Sequence, residues 1–320
     1  MTHNPHDALV KAVFGLPEHA ASFFANVLPP MLVARLDLTT TTLLPGSFVD
    51  EALVELHTDL LFGSEFTSRP GLLCVLLEHQ STVDPVLPFR LLRYMVRIWD
   101  RHRATAKDDR LPPILPLVLF QGPRDWSGAT RLGELVQVPC DLRADLDPYT
   151  PEARTLLYNL SAVSDEELRG TAPARLTLLL LKHIRSEQLA ALLPSWAGLF
   201  RAVQRISEWT GLRPLVEYLL EAGQHLKQDY LLCFVRRELG VDVEEKVMTL
   251  ANQLREEGRL EGKLEGKLEG KQEMLLKLLR LRFRELPEEA VQRVRAASEA
   301  ELGCWIERIL VAPTLDDVLG

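Results

Sequence analysis

The chain has 320 residues, of which 47% are hydrophobic and 26% charged, and its formal net charge is −8. This length suits roughly two domains with ordinary buried cores, and the acidic balance argues against a protein that coats DNA through bulk positive charge. Neither a leader after Met1 nor an apolar run near the roughly 20 residues of a membrane helix is visible, so we expect a cytoplasmic protein without membrane contact. The four cysteines form no CxxC pair, and the apolar surroundings of Cys74 and Cys233 predict buried, free thiols.

The first 120 residues or so predict a mixed α/β fold. Apolar spacing favours a helix over 6–28, interrupted at Pro17 and ended by Pro29-Pro30. Runs of β-branched and apolar residues predict three strands, then a helix from Asp84 to about His102, then a fourth strand. The predicted strands cover 39–44, 53–62, 72–77 and 114–120. The element order is therefore helix, three strands, helix, strand.

From residue 141 onward the pattern becomes helical, and Pro148 lies in a candidate boundary over 141–149. We therefore predict three parts: an α/β domain over 1–145, a helical domain over 146–256 and a helical tail over 257–320. The candidate helices of the second part cover 151–160, 165–169, 173–184, 187–204, 213–222, 229–238 and 243–255.

Residues 257–271 are a four-residue repeat that reads EGRL, EGKL, EGKL, EGK. Its leucines drift around a helix with 3.6 residues per turn, and each glycine costs about 1 kcal/mol against alanine. The segment is predicted to be either a solvated helical linker or a surface that packs on a second copy, because glycines let backbones approach closely. The second possibility predicts a homo-oligomer formed through the C-terminal helices.

Two carboxylates and an amide occupy strand positions that suit a metal site. Glu78 and Gln80 are two residues apart and share a face, with His79 on the other. A hairpin loop at 68–71 would place Thr67 opposite Leu72 and Asp59 opposite Gln80. A one-residue slip would separate these side chains. Oxygen ligands suit Mg²⁺, which activates water for phosphodiester attack. Taken singly, each carboxylate is better explained as a structural residue at a solvated strand end than as a catalytic one.

Six motifs follow one another over residues 5–125: HDALVK, LPGSFVDEAL, TDLLF, LLEHQST, FRLLRYMVRIW and PLVLFQG. Together with the tail over 282–310, these ordered motifs resemble the recombination-promoting nuclease family, whose members are often named transposases. That family is similar to the PD-(D/E)xK nuclease superfamily. The resemblance implies an αβββαβ core of the restriction-endonuclease type, followed here by the all-α region, and Mg²⁺-dependent DNA cleavage, with Mn²⁺ or Ca²⁺ as alternative ions.

Carried over to this sequence, the resemblance makes Asp59 the first metal ligand and Glu78 the second. Gln80 stands where the superfamily usually has lysine. Because glutamine is neutral, either the enzyme is weaker or another basic group compensates.

Further residues have weaker patterns. Asp7, Asp50 and Glu51 could help to hold the ion, although turn capping, solvation or helix N-terminal charge is the preferred explanation for all three. His6 and His79 suit hydrogen-bonded structural histidines. Four arginines share one face of the predicted helix after Asp84 and could contact DNA phosphates or simply be solvated: Arg90, Arg93, Arg97 and Arg101.

Three functions are therefore considered. The first is a Mg²⁺-dependent DNA endonuclease that promotes recombination or acts on foreign DNA. The second is a weak or inactive nuclease-fold protein that binds and assembles through its tail. The third, a transposase with an RNase H fold, fits poorly because the element order begins with a helix and glutamine follows the glutamate.

Overall fold

The computed structural model describes residues 4–45, 60–68, 70–105 and 110–320. Five strands are found in these ranges: β1 (Leu36–Leu43), β2 (Leu60–Phe66), β3 (Leu72–Gln80), β4 (Ile114–Phe120) and β5 (Leu156–Asn159). The helices up to β5 are α1 (Pro5–Phe14), α2 (Pro17–Val27), α3 (Pro30–Val33), α4 (Leu87–Thr105) and α5 (Arg143–Leu146). The helices after β5 are α6 (Ala172–His183), α7 (Leu189–Leu192), α8 (Ala197–Ala222), α9 (Gln228–Leu239), α10 (Val241–Phe283), α11 (Glu288–Ala296), α12 (Glu299–Arg308) and α13 (Leu315–Leu319).

The strands form one sheet in the order β1-β2-β3-β4-β5. The first three are antiparallel neighbours, whereas β3, β4 and β5 run parallel. The crossover from β3 to β4 is made through α4. The parallel strands read as continuous apolar runs because helices cover both of their faces. The predicted order of a helix, three strands, a helix and a strand is confirmed, and β5 extends it.

The predicted pairing of β2 with β3 is wrong by two residues. Glu65, not Thr67, is the partner of Leu72, and Leu60 is the partner of Leu77. Thr67 is unavailable because its amide donates to the carbonyl of Arg35, just before β1. Gly71, with a φ of +140°, lies in the turn, in a conformation that favours glycine. A shift of two residues keeps every described side chain on its expected face.

The two faces of the sheet are covered by different helices. On one face, Leu61, Leu76 and Val118 pack against Leu91 and Ile98 of α4. On the other face, α2 packs through rings of Phe23 and Phe24, whose centroids lie 5.5 Å from Tyr158 and 5.3 Å from Phe62. Helix α1 contacts α6 and α8 on that second side. Alternate residues of β3 therefore face α4 and the α1 side in turn.

Two predicted helices of the second region are wrong. Residues 156–159 of the segment predicted as a helix over 151–160 form β5 instead, because Leu157 and its neighbours pair with the edge of β4. The segment over 165–169 is a turn. The region after residue 145 is therefore not all-α at its start, although it is helical from α6 onward. Cys233 is exposed, which corrects the expectation of a buried thiol, whereas Cys74 is buried as predicted.

The remaining helices follow the predicted segments closely. α8 is two helices joined at Glu208, whose φ of 49° is not helical. α10 is continuous for 43 residues and contains the whole four-residue repeat. The chain divides into two compact units, one ending at Val247 and one over Met248–Gly320. The domain boundaries proposed from sequence at 145 and 256 stay predictions.

The C-terminal unit has its own hydrophobic core. Leu275 and Leu279 of α10 pack with Val294, Leu302 and Trp305 of the next two helices. Leu268 of the repeat packs against this core, whereas Leu260 and Leu264 are exposed. The drift of a four-residue spacing around the helix explains the difference. Among the described residues of the whole chain, no helix combines the length and apolar character needed to cross a membrane.

Candidate active site

Glu78 and Gln80, two of the polar residues predicted from the sequence, lie where β3 and β4 end side by side. Gln80 is the last residue of β3 and pairs with Phe120, the last residue of β4. The sheet hydrogen bonding continues one step further, because the Gln121 amide donates to the Gln80 carbonyl at 3.0 Å. The carboxyl ends of two parallel strands therefore form one polar edge.

Glu78 is a buried carboxylate with one oxygen engaged and one without a partner. Its Oε1 accepts hydrogen bonds from Gln80 Nε2 and, at 2.7 Å, from Arg90 Nη2. Its Oε2 is buried and makes no hydrogen bond. Burial raises the pKa of Glu78 to about 7, and the charge of Asp7 adds to the rise, whereas Arg90 and Gln80 lower it. A carboxylate held this way is costly unless a cation or a donor meets its second oxygen.

Arg90 differs from the other arginines of its helix. Its Nη1 lies 2.7 Å from Asp84 Oδ2, so its guanidinium bridges Asp84 and Glu78. The side chain is 17% exposed. Arg93, Arg97 and Arg101 are exposed. The predicted basic stripe therefore separates into three surface arginines and one that belongs to the site.

A second polar group lies on the α1 side of the same edge. Asp7 of α1 contacts His79 Nδ1 at 2.5 Å, and His79 Nε2 is buried without a hydrogen-bond partner. His6 Nδ1 lies 2.7 Å from the Tyr218 hydroxyl of α8. As predicted, His79 points away from Glu78 and makes a hydrogen bond. Asp7, by contrast, lies near enough to Glu78 for its charge to affect that pKa.

Gln121, Tyr218 and Arg185 are residues of this edge that the sequence reasoning missed. Gln121 is 4% exposed, and neither atom of its side-chain amide has a hydrogen-bond partner. Arg185 Nη1 donates to the Gln121 carbonyl at 3.3 Å. A polar residue directly after an apolar strand, in PLVLFQG, was a usable signal for Gln121. Nothing local in the sequence marks Tyr218 or Arg185, because only the tertiary fold brings them here.

The donor set partly fits a divalent cation. Glu78 Oε2 is a buried oxygen without a partner, and hard cations prefer oxygen ligands. Within the described ranges, no three His, Cys, Asp or Glu side chains are grouped closely enough to hold a metal ion. Asp50, Glu51 and Asp59 lie outside the described residues. The residues present therefore fit a cation that takes at least one further ligand from elsewhere.

Comparison with protein families agrees with this placement of motifs along the chain. Residues 4–210 match the family model described as "Putative transposase, YhgA-like". The chain belongs to this family. The match covers the whole sheet and continues through α6 and the first half of α8. Both Glu78 and Arg185 therefore lie within the matched residues. No solved structure is detectably similar to the chain.

Named relatives of this family member are bacterial. The chain is 31% identical over 262 residues to recombination-promoting nuclease RpnC of Escherichia coli (strain K12), covering 79% of this chain and 82% of that protein. It is 30% identical to recombination-promoting nuclease RpnD of Escherichia coli O157:H7, covering 79% and 95%. It is also 29% identical to the inactive recombination-promoting nuclease-like protein RpnE of strain K12, covering 80% and 83%. The resemblance to the recombination-promoting nuclease family is confirmed, and the relatives include proteins named nucleases and one named inactive.

Proposed function

We propose that the protein is a Mg²⁺-dependent DNA endonuclease of the PD-(D/E)xK type, which promotes recombination or acts on foreign DNA. The observation that carries the proposal is Glu78, a buried carboxylate at a strand end with one oxygen held by two donors and the other without a partner. Maintaining such a group costs free energy, which is expected where a ligand is bound. The order of helix, three antiparallel strands, crossover helix and parallel strand supports the same type of core.

Glu78 and Asp59 are the proposed cation ligands. Leu60 is the partner of Leu77. Asp59 directly precedes Leu60 in the sequence, and Glu78 directly follows Leu77. When bound, the cation would lower the pKa of a water and offset negative charge on the phosphate. The chain's own contribution is to hold Glu78 Oε1 through Gln80 and Arg90. The carboxylate is thereby kept in one orientation, with Oε2 left for the cation. Gln80 thus acts as a positioning group and not as the cation that lysine would be.

DNA is the proposed substrate, since the relatives of known name are called recombination-promoting nucleases. The exposed Arg93, Arg97 and Arg101 of α4 lie on the helix that carries Arg90 to Glu78, so phosphates bound along α4 would approach the site. Such contacts position the duplex without reading its sequence. Their number is small, which fits a chain whose net charge is −8.

The alternative is a catalytically weak or inactive nuclease-fold protein that binds and assembles. Two observations favour it: position 80 lacks a positive charge, and one relative is named inactive. The exposed Leu260 and Leu264 of α10 would then serve self-association as a homo-oligomer. Mass measurement by light scattering of the full chain, and of a chain ending at Glu256, tests that part. A monomer at all concentrations would exclude assembly through the tail.

Plasmid cleavage decides between the two functions. Purified wild-type protein and the Asp59→Ala, Glu78→Ala double variant are incubated with supercoiled plasmid and Mg²⁺, with EDTA as the metal control. Nicking by the wild-type protein alone, abolished by EDTA, is the expected result. Equal cutting by both proteins would assign the activity to a contaminant or to other residues. Absence of cutting by both folded proteins would favour the binding function.

A further inference from the structure

The site lacks a positive charge at position 80, yet one lies beside Glu78. Gln80 is neutral, and its amide is already engaged by Glu78 Oε1. The same oxygen accepts the Arg90 guanidinium at 2.7 Å, so Arg90 reaches the atom that Gln80 reaches. The two side chains come from different elements, the end of β3 and the first turn of α4.

Arg90 is held as a fixed group and not as a mobile surface charge. Asp84 accepts its Nη1 at 2.7 Å and also accepts the amide of Val86 at 2.9 Å. Asp84 therefore organises the chain before α4 and the guanidinium together. The two ion pairs use one hydrogen of Nη1 and one of Nη2, so each of these nitrogens keeps a second hydrogen, while Nε is buried and has no hydrogen-bond partner. A planar guanidinium with spare Nη donors suits a phosphate oxygen.

We propose that Arg90 supplies to the Glu78 site the positive charge that position 80 lacks. This inference rests on the proposed function. In it, Arg90 is a catalytic residue: its guanidinium contacts the phosphate beside Glu78 and stabilises negative charge that develops there, as a lysine at position 80 would. The positive charge comes from the helix and not from the strand, and it approaches the same atom that Gln80 approaches, Glu78 Oε1.

A charge-exchange series in the full-length protein tests the assignment. The variants are Arg90→Gln, Arg90→Lys, Gln80→Lys, and Gln80→Lys combined with Arg90→Gln. Arg103→Gln is the matched control, because Arg103 is an exposed arginine of the same helix outside the proposed phosphate contacts and its loss changes the net charge equally. Thermal unfolding of each variant identifies any that fail to fold, and Arg90→Lys keeps the charge if the glutamine variant fails.

The first readout is the single-turnover rate of plasmid nicking at saturating protein. Arg90→Gln should lower it by on the order of 100-fold, whereas Arg103→Gln should change it less than about threefold. Arg90→Lys, and the double variant with lysine at position 80, should both return to within about tenfold of wild type. A rate for Arg90→Gln equal to that of Arg103→Gln, or a folded double variant as slow as Arg90→Gln, would overturn the inference.

The second readout does not depend on cleavage. Mn²⁺ binding without DNA is measured by calorimetry for the same variants. Because Arg90 also lowers the pKa of Glu78, the variants are compared at a pH well above 7, where protons compete little with the metal ion. A positive charge beside Glu78 repels the cation, so Arg90→Gln should bind Mn²⁺ on the order of tenfold more tightly than wild type, and lysine at position 80 should reverse the gain. Arg103→Gln should not change the affinity. A protein that shows these Mn²⁺ effects yet never cuts DNA would overturn the proposed function while supporting the placement of the charge. An Mn²⁺ affinity that does not change when Arg90 is replaced would overturn the placement of the positive charge beside Glu78.

Discussion

Tyr218 and His6 are 212 positions apart in sequence, and the Tyr218 hydroxyl lies 2.7 Å from His6 Nδ1. Arg185 Nη2 approaches the other ring nitrogen, Nε2, at 3.4 Å. Because arginine only donates, Nε2 accepts, and Nδ1 carries the hydrogen and donates to the tyrosine oxygen. Burial and the charge of Arg185 lower the pKa of His6 to about 4, so the ring is neutral near pH 7. Tyr218 of α8 and Arg185, which follows α6, thus hold His6, the residue before Asp7.

Tyr218→Phe removes this acceptor and leaves the ring in place. We expect the free energy of unfolding to fall by about 1 kcal/mol, the usual loss for one part-buried hydrogen bond. Tyr230→Phe is the matched control, since the Tyr230 hydroxyl also bonds a protein oxygen, the Ala190 carbonyl, but the residue is 39% exposed. Urea unfolding measures both variants. Equal losses in the two would mean that the contact to His6 adds nothing beyond an exposed hydrogen bond.

A fragment of residues 1–145 should fail to fold alone. It lacks β5, which pairs with β4, and it lacks α6 and α8, which cover α1. Removing these elements exposes apolar residues of the α1 side, including Leu9, Val13 and Phe14, each at most 3% exposed in the chain. A fragment ending at Val247 should unfold cooperatively, as seen by circular dichroism and the dispersion of its amide resonances. Cooperative unfolding of the 1–145 fragment would contradict this and support the boundary proposed from sequence.

Glu78→Gln should stabilise the metal-free protein increasingly as the pH rises. Burial raises the pKa of Glu78 from its ordinary 4.5 to about 7, so the folded chain keeps a proton that the unfolded chain releases. Between these two values the folded state binds more protons, and the stability of the wild type falls as pH increases. Glutamine is always neutral and avoids this loss.

The advantage of Glu78→Gln over wild type should grow by up to about 3 kcal/mol between pH 5 and pH 8. Urea unfolding in EDTA at several pH values measures it. Glu65→Gln is the control, because Glu65 lies on the neighbouring strand and is exposed. A difference between Glu78→Gln and wild type that does not vary with pH would contradict the role of burial.

Local patterns predicted those parts of the fold whose neighbours are close in sequence. The apolar runs of β3 and β4 and the periodic helix α4 needed only their own residues to be recognised. The register of β2 against β3 could not be predicted, because it depends on the contact of Thr67 with Arg35, 32 positions away. β5 was mistaken for a helix since its few residues adopt strand geometry only through the edge of β4.

The same limit applies to the candidate site: residues placed by one strand or helix were predicted, and residues placed by tertiary contacts were not. Glu78 and Gln80 followed from the two-residue period of one strand. Arg90 was expected on a surface stripe, because helix periodicity places all four arginines on one face and cannot indicate which of them meets a buried acid. Arg185, Tyr218 and the unpartnered amide of Gln121 depend on packing between distant elements. Arg185 and Tyr218 carry no signal in a single sequence, and the position of Gln121 after an apolar strand does not show that its amide lacks a partner.

The glycines of the repeat offer a test of what α10 does. An added Cβ at Gly258, Gly262, Gly266 or Gly270 would meet no atom within 4 Å. Alanine at each should therefore favour the helix by up to about 1 kcal/mol. Amide hydrogen exchange over 255–272 should slow roughly fourfold per substitution, since a change of about 0.8 kcal/mol in local opening corresponds to that factor.

Gly240→Ala is the control with the opposite sign. It also has open space around an added Cβ, but its φ of +98° is one that alanine rarely adopts, so this substitution should destabilise the junction between α9 and α10. The mass of the protein in solution separates the two interpretations of the repeat. A solvated helix tolerates four alanines without change in mass. A helix that packs on a second copy through its glycines would lose that association, because the methyl groups hold the backbones apart.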